Sequence, residues 1–582
     1  MRCLVYAVVV LACSSTGICQ TDKPAPAKRL PAADAVKKDR EFDPFVPRHA
    51  AEKLFAIDNV QTKSIGLARL ASLIWKHDED YARTLFEKAL AVTNPQSNPS
   101  DGRLRVIHRN VISVIAIRDA EWAKRLIDAQ ASQDERGRNS ANINTALALI
   151  ESSPGQAVEF AQRALRDQLN PAFLDFLLTM RKTDQARADQ TFLQVLRFLG
   201  QQSQPDIKSL HLMGVYLFTA PHMIDSAGYA VTVVDRILVP NITAQRPGVP
   251  PALVRTYLTT SSSLLLRAAT DTAQQQFIYA LGRMLLLKAQ SIAPDLVSQF
   301  EAAMAAVSST VPPTLVNESA FKYIDMKPRT PEESLANAEQ KTDELEREIA
   351  FLDIAASAWR KSDFKTVRAA AGMIKNTDAS QALNLLADYG EAAALLKRDP
   401  TNVAAAEKVA YKLPPGLERS MLMLSIAQTL VKSGKVAEAE EAIDASLKAA
   451  AAVDDFHRPC LSLVATGQLA QLRSLRAPTA VASTIKELNS FDAVNYAAVE
   501  WVREVEVGPL KSIFLLDAFG LDLDLNTALR AIFLSDLEIG FTRAQELKNE
   551  GLRSRALVEF VAAYLDKLEK EASQQKPRVA KP

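Results

Sequence analysis

The sequence predicts an all-α fold, a solenoid of helical hairpins arranged in two lobes. Three observations carry this expectation. Ala and Leu are abundant while Gly numbers only 19 and aromatics make up 6 % of the chain, a composition that favours helix over strand. A two-helix pattern with small residues at fixed places recurs along the chain. Two Pro-rich stretches, one near the N-terminus and one near the middle, divide the helical periodicity into blocks.

The 582 residues exceed what a single hydrophobic core usually serves, so several domains or one long repeat array are expected. Lys and Arg total 69 against 68 Asp and Glu, which leaves no basic field to attract nucleic acid or an anionic membrane.

In chain order, residues 1–19 read as an export signal. Arg2 is a short positive region, Leu4 to Ala12 are apolar, and Ser14, Ser15, Thr16 and Gly17 are small, with cleavage expected after Gly17 or Cys19. The run Val10-Leu11-Ala12-Cys13 also resembles a bacterial lipobox, which makes a lipid anchor at Cys13 the alternative. Residues 20–48, with Pro24, Pro26, Pro31, Pro44 and Pro47, read as a disordered spacer. Helical periodicity starts near His49 and defines a first lobe over 49–310, interrupted by a loop at Pro240, Pro247, Pro250 and Pro251. A linker follows at 311–330. The next helix opens with a capping box of Thr330, Pro331 and Glu333 and starts a second helical lobe, 331–570. Weaker punctuation falls near Pro478, and residues 571–582 read as a frayed basic tail. No stretch is apolar for the ~20 residues of a membrane span. With Cys3, Cys13 and Cys19 in the signal region, Cys460 is the one cysteine of the mature chain, which excludes a disulfide framework and a thiolate-rich zinc site.

The repeat is clearest at Leu424, Ile426, Ala427 and Leu430, a turn at Gly434, then Ala439, Ile443 and Leu447. Ala427 and Ala439 fall where two helices must approach closely, and larger apolar residues fill the stripes beside them. Copies occur at Ile354, Ala355, Ala358, Phe364 and Val367, and at Leu70, Ala71, Leu73, Ala82, Phe86 and Ala89; looser ones surround Ala123 and Ala157. A basic residue precedes an apolar-small pair by seven positions at Lys63, Arg347, Arg419 and Arg553, with His457 a fifth instance. Seven residues are about two helical turns, so both share a face, and the long side chain is expected to brace one hairpin against its neighbour.

This pattern resembles a degenerate tetratricopeptide repeat, with residues 421–447 the best match. The anchors Ala82, Ala123 and Ala157 are spaced by 41 and 34 residues, near the ~34-residue period of that family. Ala161 is small where a large residue belongs, Val367 is large where Ala is usual, and residues 180–300 show little of the pattern. The resemblance implies a helical solenoid with a partner-binding face and assigns no chemistry.

Candidate chemical groups are few, and each has a plainer explanation. His457 and Cys460 are three apart, but Pro459 lies between them and no base or oxyanion site accompanies the thiol. His211, His222 and Asp225 could bind a metal if they converged, yet nothing in the sequence fixes them together. Glu151-Ser152 is similar to the catalytic Glu-Ser of lytic transglycosylases, without that family's downstream segment. Trp75 and Trp359 each follow a small anchor by four residues and are expected in repeat packing. No catalytic, metal or cofactor residue is assigned. The expected function is non-catalytic protein–protein interaction in the cell envelope, periplasmic or extracellular, with a polypeptide partner, no nucleic acid and no cofactor. A glycan-acting enzyme with dispersed acidic residues, or a spacer without a ligand, are the alternatives.

Overall fold

The structure, a computed structural model, describes residues 42–94, 101–130, 135–165, 169–218, 231–234, 237–240, 246–311, 330–496, 499–519 and 523–574. The expected signal peptide, Cys13, nearly all of the linker and the last eight residues lie outside these ranges. The fold is all-α, built of packed adjacent helix pairs, as expected. It forms two compact units that differ from the expected lobes. One spans residues 93–328, and the other joins the residues up to 92 to those from 329 onward. The break at 328 falls inside the expected linker, but the first helices pack with the C-terminal part of the chain rather than with the lobe 49–310.

The chain enters through α1 (Phe45–Phe55), which begins inside the expected spacer, and continues into α2 (Val60–Ile74) and α3 (Glu79–Val92). The Asn59 side chain caps α2 by accepting from the Thr62 N–H at 2.9 Å, and Asp78 accepts from the Tyr81 N–H at 3.0 Å ahead of α3. Ala71 and Ala82 are fully buried, as the repeat pattern requires of helices in close contact.

The unit of residues 93–328 contains α4 (Gly102–Ala116) to α9 in three hairpins. The pairs are α4 with α5 (Ala120–Gln130), α6 (Glu135–Leu149) with α7 (Pro154–Arg163), and α8 (Ala172–Thr183) with α9 (Gln185–Gln201). Next, α10 (Ile207–Phe218) is buried at every position from Ser209 to Phe218, so no amphipathic stripe remains to be read there. A short antiparallel pair follows, β1 (Val231–Val234) and β2 (Ile237–Pro240), with Val231 opposite Pro240. The unit ends with α11 (Pro251–Ala268), α12 (Gln275–Ile292) and α13 (Val297–Val307). A polar knot ties α8, α9 and α10 to the next loop: Tyr216 donates to Asp189 at 2.6 Å, and Arg181 donates to Asp189 at 2.5 Å and to the Gly248 carbonyl at 2.8 Å. Burial and the Asp189 carboxylate push the Tyr216 phenol above its usual range, which keeps it a donor.

The second unit resumes at α14 (Pro331–Glu339), opened by the expected capping box: the Glu333 N–H donates to Thr330 at 3.2 Å and the Thr330 N–H to the Glu333 carboxylate at 2.9 Å. Four hairpins follow. They pair α15 (Glu344–Arg360) with α16 (Phe364–Met373), α17 (Thr377–Arg398) with α18 (Val403–Lys412), α19 (Leu417–Lys432) with α20 (Val436–Ala450), and α21 (His457–Gln471) with α22 (Ala477–Leu488). The turn at Gly434 has φ +74°, the left-handed conformation Gly adopts without penalty.

Here the uninterrupted helical reading fails, because a β-hairpin intervenes. Its strands are β3 (Val502–Val507) and β4 (Leu510–Leu515), joined at Gly508-Pro509 with Gly508 at φ +56°. Helices α23 (Leu525–Ser535), α24 (Leu537–Gln545) and α25 (Glu550–Gln574) complete the chain, the last running through part of the expected tail.

In this unit the first helix of one hairpin packs on the first helix of the next, from α17 through α19, α21 and α23 to α25. The series does not stop at the C-terminal helix: α25 packs on α2, so the chain's first hairpin is the last hairpin of the array. The joint is tight. A Cβ on Gly66 of α2 would lie 2.4 Å from Ser554 Oγ and 2.9 Å from Leu54 Cδ2. Glu550 accepts the N–H groups of Asp58 and Asn59, both at 3.0 Å. Phe42 stacks on His77 with centroids 5.1 Å apart, and the Asp43 N–H donates to the Tyr564 hydroxyl at 2.8 Å.

Candidate functional site

The sheet insert stands out functionally because of what it lies on. It leaves the array between α22 and α23 and folds back over α15 and α17, the leading helices of two hairpins that precede it by more than a hundred residues. Three side chains hold its backbone. The Trp359 indole N–H donates to the Leu515 carbonyl at 3.1 Å, and the Tyr389 hydroxyl to the Leu516 carbonyl at 3.0 Å. His457 Nε2 lies 3.0 Å from the Glu500 carbonyl; because a carbonyl only accepts, this nitrogen donates. Burial raises the Tyr389 phenol well above its ordinary range, so it too remains a donor.

Aromatic packing completes the seat. Phe514 meets Trp359 edge-on with centroids 5.8 Å apart, and Phe519 meets Trp359 at 4.7 Å and Phe364 at 5.2 Å. Gly390 of α17 makes room for these rings: a Cβ there would lie 2.4 Å from Phe364 and 2.8 Å from Trp359. Strand alternation sorts the hairpin residues: Val505, Val507 and Phe514 face the helices and are buried, while Ile513 and Leu515 face outward, 59 % and 48 % exposed. Lys511 bridges Glu504 and Glu506 on that outer face. Arg503 approaches Glu418 of α19 at 3.6 Å. The helices thus grip the end of β4 and the 3-10 turn Asp517–Phe519 that follows it, by the Leu515 and Leu516 carbonyls and by two Phe side chains five residues apart.

The sequence candidates fall elsewhere or into packing. His457 is buried at the start of α21, 2.9 Å from Asp455 and in ring contact with Phe456 and Trp501; it serves the segment that leads into the hairpin rather than Cys460. Burial pushes the Cys460 thiol up to about 12, the opposite of an activated nucleophile. His211 is buried in α10 with its ring edge-on to Phe277, and His222 and Asp225 lie outside the described residues. Among the described residues no group of three His, Cys, Asp or Glu is placed to hold a metal ion. Glu151 and Ser152 are exposed in the turn between α6 and α7. Trp359 belongs to the hairpin seat, while Trp75 carries the Arg83 guanidinium at 4.8 Å. Two open surface clefts hold no buried acid: one of about 620 Å³ beside Lys486 and Lys548, and one of about 330 Å³ at the Arg458–Glu487 ion pair.

Of the recurrent basic residues, Arg347 and Arg553 reach back to carbonyls in the connection from the preceding helix, Lys341 at 3.2 Å and Leu547 at 3.3 Å. Arg419 lies over the Tyr411 ring of the preceding hairpin at 5.2 Å. The hairpin seat itself escaped the sequence reading. Its signal was present in the short alternation Glu504-Val505-Glu506-Val507 ahead of Gly508-Pro509.

No family model matches the chain, and no curated protein matches its sequence.

Proposed function

We propose that this is an exported, non-catalytic helical-repeat protein, similar to tetratricopeptide-repeat scaffolds, that binds a polypeptide partner in the cell envelope. The observation that carries the reading is the face of α15 and α17, which holds a strand end and the turn after it through side-chain donors to carbonyls and an aromatic slot. Such contacts suit peptide recognition, since backbone hydrogen bonds give affinity and side-chain pockets give selectivity. The stacked hairpins are rigid elements on which such a face keeps its shape.

The test is crosslinked capture from the native envelope fraction with the mature chain as bait. The reading expects the same one or few polypeptides in every repeat of the experiment. Cell-wall glycan retained or shortened by the chain, with no polypeptide enriched, would overturn it.

A further inference from the structure

We propose that the seat on α15 and α17 is a binding slot for a polypeptide strand that ends in a tight turn and carries two aromatic side chains five residues apart, and that the chain's own β-hairpin, with the turn Asp517–Phe519 after it, is its resident occupant. The inference deepens the polypeptide-binding reading and rests on it. Phe514 and Phe519 fill the slot in cis, and the carbonyls of Leu515 and Leu516 between them take the Trp359 and Tyr389 donors. Both donors meet main-chain oxygens, and the bend at Leu516 ahead of the turn Asp517–Phe519 brings these two consecutive carbonyls to the seat, where a straight strand would point them to opposite sides. What an occupant must also supply is the aromatic pair. Gly390 lets Trp359 and Phe364 pack down onto α17, and against these two rings Phe519 packs edge-on.

Several features set the hairpin apart from the array it lies on. It interrupts the hairpin series between α22 and α23, and it is the only strand pair among the described residues of its unit. Its outward face leaves Ile513 and Leu515 to solvent, whereas α19 and α21 are buried almost throughout. Two strands without a third have little stability of their own, so the hairpin's order derives from the seat. Tethering gives it a high effective concentration there, and a partner segment competes by mass action with an occupant that opens locally.

Two measurements on the full chain test this. First, a labelled peptide of residues 510–519 is titrated against the wild-type chain and against Phe514→Ala/Phe519→Ala, with far-UV circular dichroism to verify retained helix. The proposal expects saturable binding at least tenfold tighter to the double variant, weakened again when Tyr389→Phe removes the hydroxyl donor. Equal binding to both chains, or none to a folded double variant, overturns it. Second, amide hydrogen exchange on the wild type needs no variant: amides of 502–516 should exchange at least tenfold faster than those of 421–430 and 461–470. Exchange of all three segments at one common rate makes the hairpin a fixed part of the core and overturns the proposal. That outcome leaves the broader reading to the capture experiment, so the two failures are distinguishable.

Discussion

Glu550 sits in the first turn of α25, yet its partners are almost five hundred residues away in sequence, the N–H groups of Asp58 and Asn59. The Asp58 N–H foremost, then that of Asn59 with Arg553 and Lys63 nearby, holds its carboxyl below the usual range. A depressed carboxyl contributes stability that is present above the ordinary carboxylate value of about 4.3 and is lost as pH falls through the folded value. Glu550→Gln is therefore predicted to cost about 1–2 kcal/mol at neutral pH. In thermal melts the gap from wild type should close below about pH 4. Cys460 gives a second residue-scale prediction. With its thiol buried and pushed up to about 12, iodoacetamide at pH 8 should label it only after denaturation, as mass spectrometry would show. Arg347→Ala and Arg553→Ala should each lower the melting temperature by a few degrees, because each guanidinium ties its helix to the preceding connection.

At the scale of elements, small residues decide how closely helices pack. A Cβ on Gly467 of α21 would lie 2.7 Å from the Ala528 Cα of α23, a backbone atom that cannot swing away, whereas nothing lies within 4 Å of one on Gly372. Gly467→Ala should cost about 1–3 kcal/mol by forcing the two helices apart. Gly372→Ala should be neutral or stabilise by up to about 1 kcal/mol, and urea unfolding of the pair separates packing from propensity. The elements differ in how plainly the sequence announced them. The turn at Gly434 and the box at Thr330 and Glu333 were legible because local chemistry decides both. The β-hairpin was not read, since six-residue strands in an Ala- and Leu-rich chain give a weak signal beside helical periodicity. In α10, burial on all sides erased the stripe that marks a repeat helix. The seat at Trp359, Tyr389 and Gly390 was only half visible: the Trp fits the repeat spacing, but nothing local says that Phe514 and Phe519 will reach it.

For the whole molecule, chain order and spatial order differ. The hairpin of α2 and α3 follows α25 in the array, so the described residues up to 92 complete a unit otherwise made from residue 329 onward, and residues 93–328, inserted between these parts in the sequence, form a unit of their own. No sequence pattern announces this, because periodicity reports which face of a helix is buried and not which distant helix covers it. Without its first hairpin, α25 would expose the surface that Leu54, Gly66 and Ser554 now close. The direct measurement is thermal unfolding by circular dichroism of two chains: residues 330–574 alone, and the same residues joined by a short Gly/Ser linker to residues 42–94. The joined chain is predicted to unfold in one cooperative transition at least ~10 °C above the fragment, since several kcal/mol of packing are restored and each shifts a unit of this size by about 2–4 °C. Equal melting temperatures for the two chains would contradict the account and show that the C-terminal array is complete without the first hairpin.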